Sequence, residues 1–198
     1  MGQAMATKRY KIGFARPALL RETVLVAQCY RELQDWTQVK LRVKEVNLLQ
    51  TRTERSSDIM YSEIYKRLSL LTTDQVELIA DDDAQDIRQL VWIALCKQYP
   101  FIADFTLEVL ADAHDRHRFE VTHDDYGYFF NAKADWNPEL ESVSDKTRSN
   151  ARQALFQMMR QCELITETNQ LIPQMLSSAI QNCSPEADLV FIPGAIRL

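Results

Sequence analysis

Apolar residues recur along this chain at intervals of three and four, the spacing that places them on one face of a helix. Leu20, Val24, Ala27 and Tyr30, with Leu33 alongside, mark a first helix to about Asp35, with Pro17 suited to its opening turn. Trp36 and Thr37 open a short second helix, Thr37 as its cap and Val39, Val43 and Val46 facing inward. Asn47 is a turn residue that tolerates the left-handed conformation. Thr51-Arg52-Thr53-Glu54 reads as a capping box starting a helix to about Leu71, with Met60, Ile64, Leu68 and Leu71 on its core side. Thr73 caps Asp74 to Ala80, and Ala84 to Tyr99 buries Ile87, Val91, Ala94 and Leu95 before Pro100 stops it. Phe101 to about His117 continues as helix on Ile102, Phe105 and Val109. Thr122 caps an aromatic helix carrying Tyr126, Phe129 and Phe130, and Asn137-Pro138 begins a short turn of helix to Val143.

The strongest periodicity lies between Ser144 and Ile165. Ala151, Ala154, Leu155, Met158, Met159 and Cys162 form one apolar stripe, with Ser144 or Asp145 as N-cap. The opposite row, Lys146, Ser149, Asn150, Gln153, Gln157 and Arg160, holds only cationic and hydrogen-bonding side chains. Leu164 to Pro173 then reads as a small β-hairpin around Glu167-Thr168-Asn169, Ser177 to Gln181 as helix, and the tail from Asp188 as extended or irregular. With four glycines and six prolines against so much helical period, the expected fold is all-α, a compact multi-helix globular protein with two helix-turn-helix units and a small C-terminal β-hairpin wing. Its parts are residues 1–72 with the first unit, an acidic helical core at 73–137, and 138–198 with the second, packed as one globule. Residues 1–5 are left out of this reasoning.

Charge sharpens the picture. The net charge of -5 divides into +5 over residues 1–60, -11 over 61–145 and +1 over 146–198. Phosphates respond to a local patch within roughly 8 to 10 Å, so an acidic total does not argue against nucleic acid. Lys146 to Gln161 carries four cations and no acid. Arg pairs with guanine, and Asn or Gln with adenine, so a short helix led by such side chains suits a DNA major groove. Lys146, Arg148, Ser149, Asn150 and Arg152 lead one reading helix; Arg52, Thr53, Arg55 and Ser56 lead the other. Lys8, Arg9, Lys40, Lys44 and Arg160 are suited to phosphates. For either helix alone the blander reading is a solvated basic face; two such units in one chain weigh against it.

Other chemistry is weakly signalled. Asp81-Asp82-Asp83 has no phosphate-cradling glycine loop beside it and reads as a solvated linker that favours the next helix start. His114, His117 and His123 stand among too many undirected aspartates to define a metal site. Cys29, Cys96, Cys162 and Cys183 are far apart and read as buried thiols. These residues predict no catalytic centre, metal or cofactor. Apolar runs fall well short of the roughly 18 to 20 residues of a membrane span, which points to the cytoplasm. The competing class is an all-helical protein–protein scaffold or adaptor using the acidic middle and its aromatics.

Several stretches together resemble the BrxA family of BREX (bacteriophage exclusion) defence systems. They are Arg21-Glu22-Thr23, Asp35-Trp36, Asn47 to Gln50, Leu68 to Leu71, Cys96 to Pro100, Asp104 to Val109, Asp124 to Phe130, and Thr147 to Phe156. The resemblance covers nearly the whole chain from Tyr10 and rests on overall pattern, since none of these motifs is catalytic. Family members read roughly R-E-A-G-L where this chain has Arg160-Gln161-Cys162-Glu163-Leu164, so Glu163 stands in the glycine's place. The resemblance implies an α-helical, cytosolic accessory protein of phage resistance, acting with a methyltransferase and other BREX proteins through contact with double-stranded DNA. Two reading units in one chain let a monomer grip one duplex.

Overall fold

A computed structural model describes residues 10, 12–14, 17–81 and 83–197. The chain is all-α apart from short extended pairings near its C-terminus. Of helices α1 (Leu20–Leu33), α2 (Trp36–Glu45), α3 (Glu54–Leu68) and α4 (Thr73–Ala80), the first, third and fourth pack on α5 (Ala84–Gln98), and α2 packs on α1 and α3. Helix α5 is the axle of the fold, because Ile87, Leu90, Val91, Trp92, Ile93, Ala94, Leu95 and Cys96 bury it on almost every side. Pro100 then starts α6 (Pro100–Phe105), which runs through a π-helical turn at Thr106–Leu110 into α7 (Ala111–Asp115). Helices α8 (His123–Ala134), α9 (Pro138–Glu141) and α10 (Asp145–Gln161) follow, then α11 (Ser178–Cys183) and α12 (Glu186–Leu189). Buried residues from all of these regions join a single hydrophobic cluster.

The N-terminal segment is fastened to the C-terminal half. Tyr10 and Phe14 insert their rings beside Phe101, and the Tyr10 hydroxyl donates to Asp104 at 2.8 Å. Arg67, only 1% exposed, donates to the Pro17 and Ala18 carbonyls, while the Ala18 amide donates to Gln161 at 2.8 Å. A buried guanidinium is tolerable because these carbonyls and Glu63, 3.5 Å away, receive its donors. Leu19 is thereby held in a left-handed conformation (φ 59°), which delays α1 to Leu20 rather than letting Pro17 open it.

Several caps differ from the sequence expectation by one or two residues. Asp35 rather than Thr37 caps α2, accepting from the Thr37 amide at 2.6 Å. Thr53 rather than Thr51 caps α3, and Thr72 rather than Thr73 forms a full capping box on α4 with Gln75. Asn47 adopts the left-handed turn (φ 44°), and α2 has already ended there, so Val46 is 56% exposed instead of buried. Ser144 caps α10 and Thr122 caps α8.

The expected hairpin contracts to one antiparallel pairing, Ile165 with Leu171, closed by Thr166–Asn169. A third piece joins it from before α8, where Glu120 pairs with Gln170 and the Leu171 amide donates to the Phe119 carbonyl at 2.9 Å. The tail is more ordered than its sequence suggested. Beyond α12, β2 (Ile196–Arg197) lies parallel to β1 (Met175–Leu176), and Gly194 (φ +64°) passes directly over the His114 ring.

Candidate nucleic-acid interface

Helix α10 lies on the core through Ala151, Leu155, Phe156, Met158 and Met159. With that face fixed, the 3.6-residue period forces Lys146, Asn150, Gln153 and Gln157 into one exposed row. None of the four bonds its side chain to another described residue. An acid-free row of this kind offers donors and acceptors along about 16 Å of helix.

The arginines beside the row divide into two roles. Arg148 is half-buried, with its guanidinium 4.3 Å from the Phe130 ring centre and donating to the Gly127 carbonyl at 3.1 Å. It therefore clamps α10 to α8 and is not a free reading group. Arg152 has no such partner, and its Nε is buried without an acceptor. Arg148, Ser149 and Arg152 line a recess with Asp145, Tyr126 and Gly127 at the α8–α10 junction. Arg160 donates to the Asn169 side chain at 2.6 Å and so braces the Thr166–Asn169 turn. His123 sits edge-on to Phe156, and its pKa is lowered by burial and then by the charges of Arg152 and Arg160. One side of α10 is therefore cationic as well as hydrogen-bonding.

The α2–α3 unit is built differently. Thr53 and Ser56 bond to each other at 2.9 Å, and Thr53 also accepts from the Ser56 amide, so both hydroxyls serve the cap. Arg52 and Arg55 are exposed at the helix start, and Lys40 is exposed on α2. Lys44 is paired to Asp58 at 2.8 Å, and that hydrogen bond raises its pKa. Lys8 and Arg9 lie outside the described residues.

The structure does not bring the two predicted faces into one site; they belong to different elements joined through the core. It also shows a grouping not anticipated from the sequence, in which Trp36, Tyr61 and Tyr65 line a groove between α2 and α3. The i, i+4 spacing of Tyr61 and Tyr65 was its visible signal. Elsewhere, among the described residues, no group of three His, Cys, Asp or Glu is arranged to hold a metal ion, and no helix is long and apolar enough to cross a membrane.

The sequence model of the BrxA family matches residues 8–186. The chain belongs to the BrxA family. A family relative, the BREX protein BrxA of Escherichia coli O9:H4 (strain HS), is 24% identical over 131 residues, which span 66% of this chain and 62% of that protein. The fold also resembles the crystal structure of an uncharacterized protein from Magnetospirillum magneticum, with a TM-score of 0.77 and 20% identity. That similarity covers 93% of this chain and 96% of the other. The stretch Thr147 to Phe156, within the matched residues, falls on α10 and contributes both the exposed Asn150 and Gln153 and the buried Leu155 and Phe156.

Proposed function

We propose that this chain is a non-enzymatic double-stranded DNA-binding component of a BREX phage-resistance system, acting in the cytoplasm as a monomer beside other BREX proteins. The observation that carries the reading is the exposed row Lys146, Asn150, Gln153 and Gln157, which has no acid between its members and no internal partners. Asn and Gln present the bidentate amide that matches adenine, and Lys matches guanine or phosphate. Arg152 beside the row is partly exposed and adds a positive charge suited to a phosphate oxygen. The order of elements supports the same reading: a helix, a short extended piece, α8, the single turn of α9, α10 and then an antiparallel turn follow the succession of a winged helix-turn-helix with one turn of helix added between its two main helices.

Helix α3 supplies the second contact through Arg52 and Arg55, with Lys40 on the adjoining helix. Their position at a helix N-terminus adds backbone amides and the helix dipole to the attraction for phosphate. Arg148 and Lys44, engaged with Phe130 and Asp58, act here by holding the helices that present the contacts.

Fluorescence anisotropy of labelled duplex across a salt series tests the proposal. Log affinity is expected to fall with log salt at about -0.9 per phosphate contact. Arg152→Ala and Arg52→Ala/Arg55→Ala should flatten that slope, whereas Asn150→Ala/Gln153→Ala should weaken binding with the slope kept. Absence of duplex binding at about 50 mM salt overturns it. A scaffold reading draws on one other observation, the exposure of Phe119 (87%), Tyr128 (76%) and Trp136 (86%) around the acidic middle. Retention of a BREX partner after charge reversal at Arg52 and Arg152, with no DNA bound by the wild type, is the result that favours it.

A further inference from the structure

The groove between α2 and α3 has a lining that contact with an intact duplex does not require. Trp36 is stacked on Tyr30 with ring centres 3.9 Å apart and planes 13° from parallel. Tyr30 lies outside the groove lining, so it backs the indole from the far side. Tyr65 stands at 71° to Trp36 with centres 5.3 Å apart, making a second wall of an aromatic corner. The hydroxyl of Tyr61 donates to the Trp36 carbonyl at 2.8 Å and fixes the corner to the start of α2. Tyr65 remains 38% exposed, so part of this aromatic surface faces water.

Cations follow the aromatic corner in one direction. Lys40 and Lys44 line the same groove, which encloses about 640 Å³, and Asp58 is neutralised by Lys44 at 2.8 Å. Lys44 also lines the adjoining recess with Arg52, Thr53, Asn47 and the carboxylate Glu54. From Tyr65 back to the start of α3 is about 16 Å at 1.5 Å per residue, room for two or three nucleotides of a strand. An aromatic wall with Lys40 beside it and Arg52 beyond fits a ligand with one planar group and a phosphate on either side of it.

We infer that the α2–α3 groove binds an unpaired stretch of a DNA strand, with a base stacked in the Trp36–Tyr65 corner and its phosphates on Lys40 and Arg52, while Lys44 keeps Asp58 neutral. A paired base is already stacked within its duplex and cannot enter such a corner; a strand end or gap can. Stacking on an aromatic side chain is sequence-tolerant because every base has a π face. This deepens the DNA reading of the α2–α3 unit but is independent of α10. The charge balance selects against a cationic guest, since the carboxylate in the groove is already paired and Lys40 adds positive charge.

The test uses the full chain carrying Trp136→Phe, which removes the exposed indole and leaves Trp36 with the fully buried Trp92. Titration with single-stranded oligo-dT of about ten nucleotides is expected to quench Trp36 fluorescence saturably at low salt. Tyr65→Ala should weaken that binding by roughly tenfold, Tyr65→Phe should restore it, and Lys40→Ala should weaken it with a shallower salt dependence. Blunt duplex and duplex with a dT overhang, measured in parallel, separate the two proposals. Loss of the overhang's advantage in Tyr65→Ala, with blunt-duplex affinity kept, supports the stacking groove. Saturable oligo-dT quenching without blunt-duplex binding keeps the groove and overturns the duplex reading. No saturable quenching, quenching indifferent to both Tyr65→Ala and Lys40→Ala, or quenching by a trimethyl-lysine peptide in place of oligo-dT overturns the groove.

Discussion

Glu163 occupies left-handed backbone (φ 53°) just past the Cys162 C-cap of α10, a conformation that glycine adopts without strain. Its Cβ is strained there by roughly 1 kcal/mol, and its exposed pairing with Arg88 at 3.0 Å returns little of that. Glu163→Gly is therefore expected to be more stable than Glu163→Ala by about 1 kcal/mol in chemical denaturation, since both lose the ion pair and only one keeps the strain. His123 offers a second residue-scale test. Burial and then the charges of Arg152 and Arg160 depress its pKa below the ordinary imidazole value, so it is neutral at pH 7 and gains a proton only on acidification. If α10 faces DNA, duplex affinity at fixed salt should rise as pH falls through that lowered value, and His123→Gln should abolish the rise. An unchanged pH profile in the variant would show that the imidazole lies away from the phosphates.

At the scale of elements, α10 depends on its first turn. The Ser144 hydroxyl accepts from the Thr147 amide at 3.3 Å, and the same turn presents Lys146. Ser144→Ala should cost about 1 kcal/mol of stability and weaken DNA binding more than Ser177→Ala, which removes the equivalent cap from α11. Helix positions and buried stripes were legible in the sequence because the 3.6-residue period is local; Ala151, Leu155, Met158 and Met159 face the core as their spacing requires. Caps were less legible. Asp35 against Thr37, or Thr53 against Thr51, differ in which oxygen meets the free amides, and that depends on backbone angles which neighbouring polar residues do not reveal. Pairings over long separations were invisible, as with Ile196 beside Met175, or Phe119–Val121 completing the turn after α10. Arg148 shows the limit most clearly. Its charge matches Arg152 in the sequence, yet only the approach of Phe130 on α8 makes one a clamp and leaves the other unpartnered.

At the scale of the whole molecule, the arrangement of charge is as informative as its total. Cationic groups gather at α2–α3 and along α10, while the segment between them carries the surplus of acids. On the proposed function, a duplex approaching the acidic segment would be repelled and one approaching either cationic end drawn in, so that its orientation would be set before contact. The buried cluster joins both ends, and the tie from Ala18 to Gln161 locks the start of the chain against the end of α10. The protein is in this respect a caliper with fixed jaws. If both jaws hold the same DNA, their fixed separation sets one minimum length of duplex that can fill both. Affinity should thus fall in one step as the duplex is shortened past that length, where two flexibly linked heads would show a smooth decline.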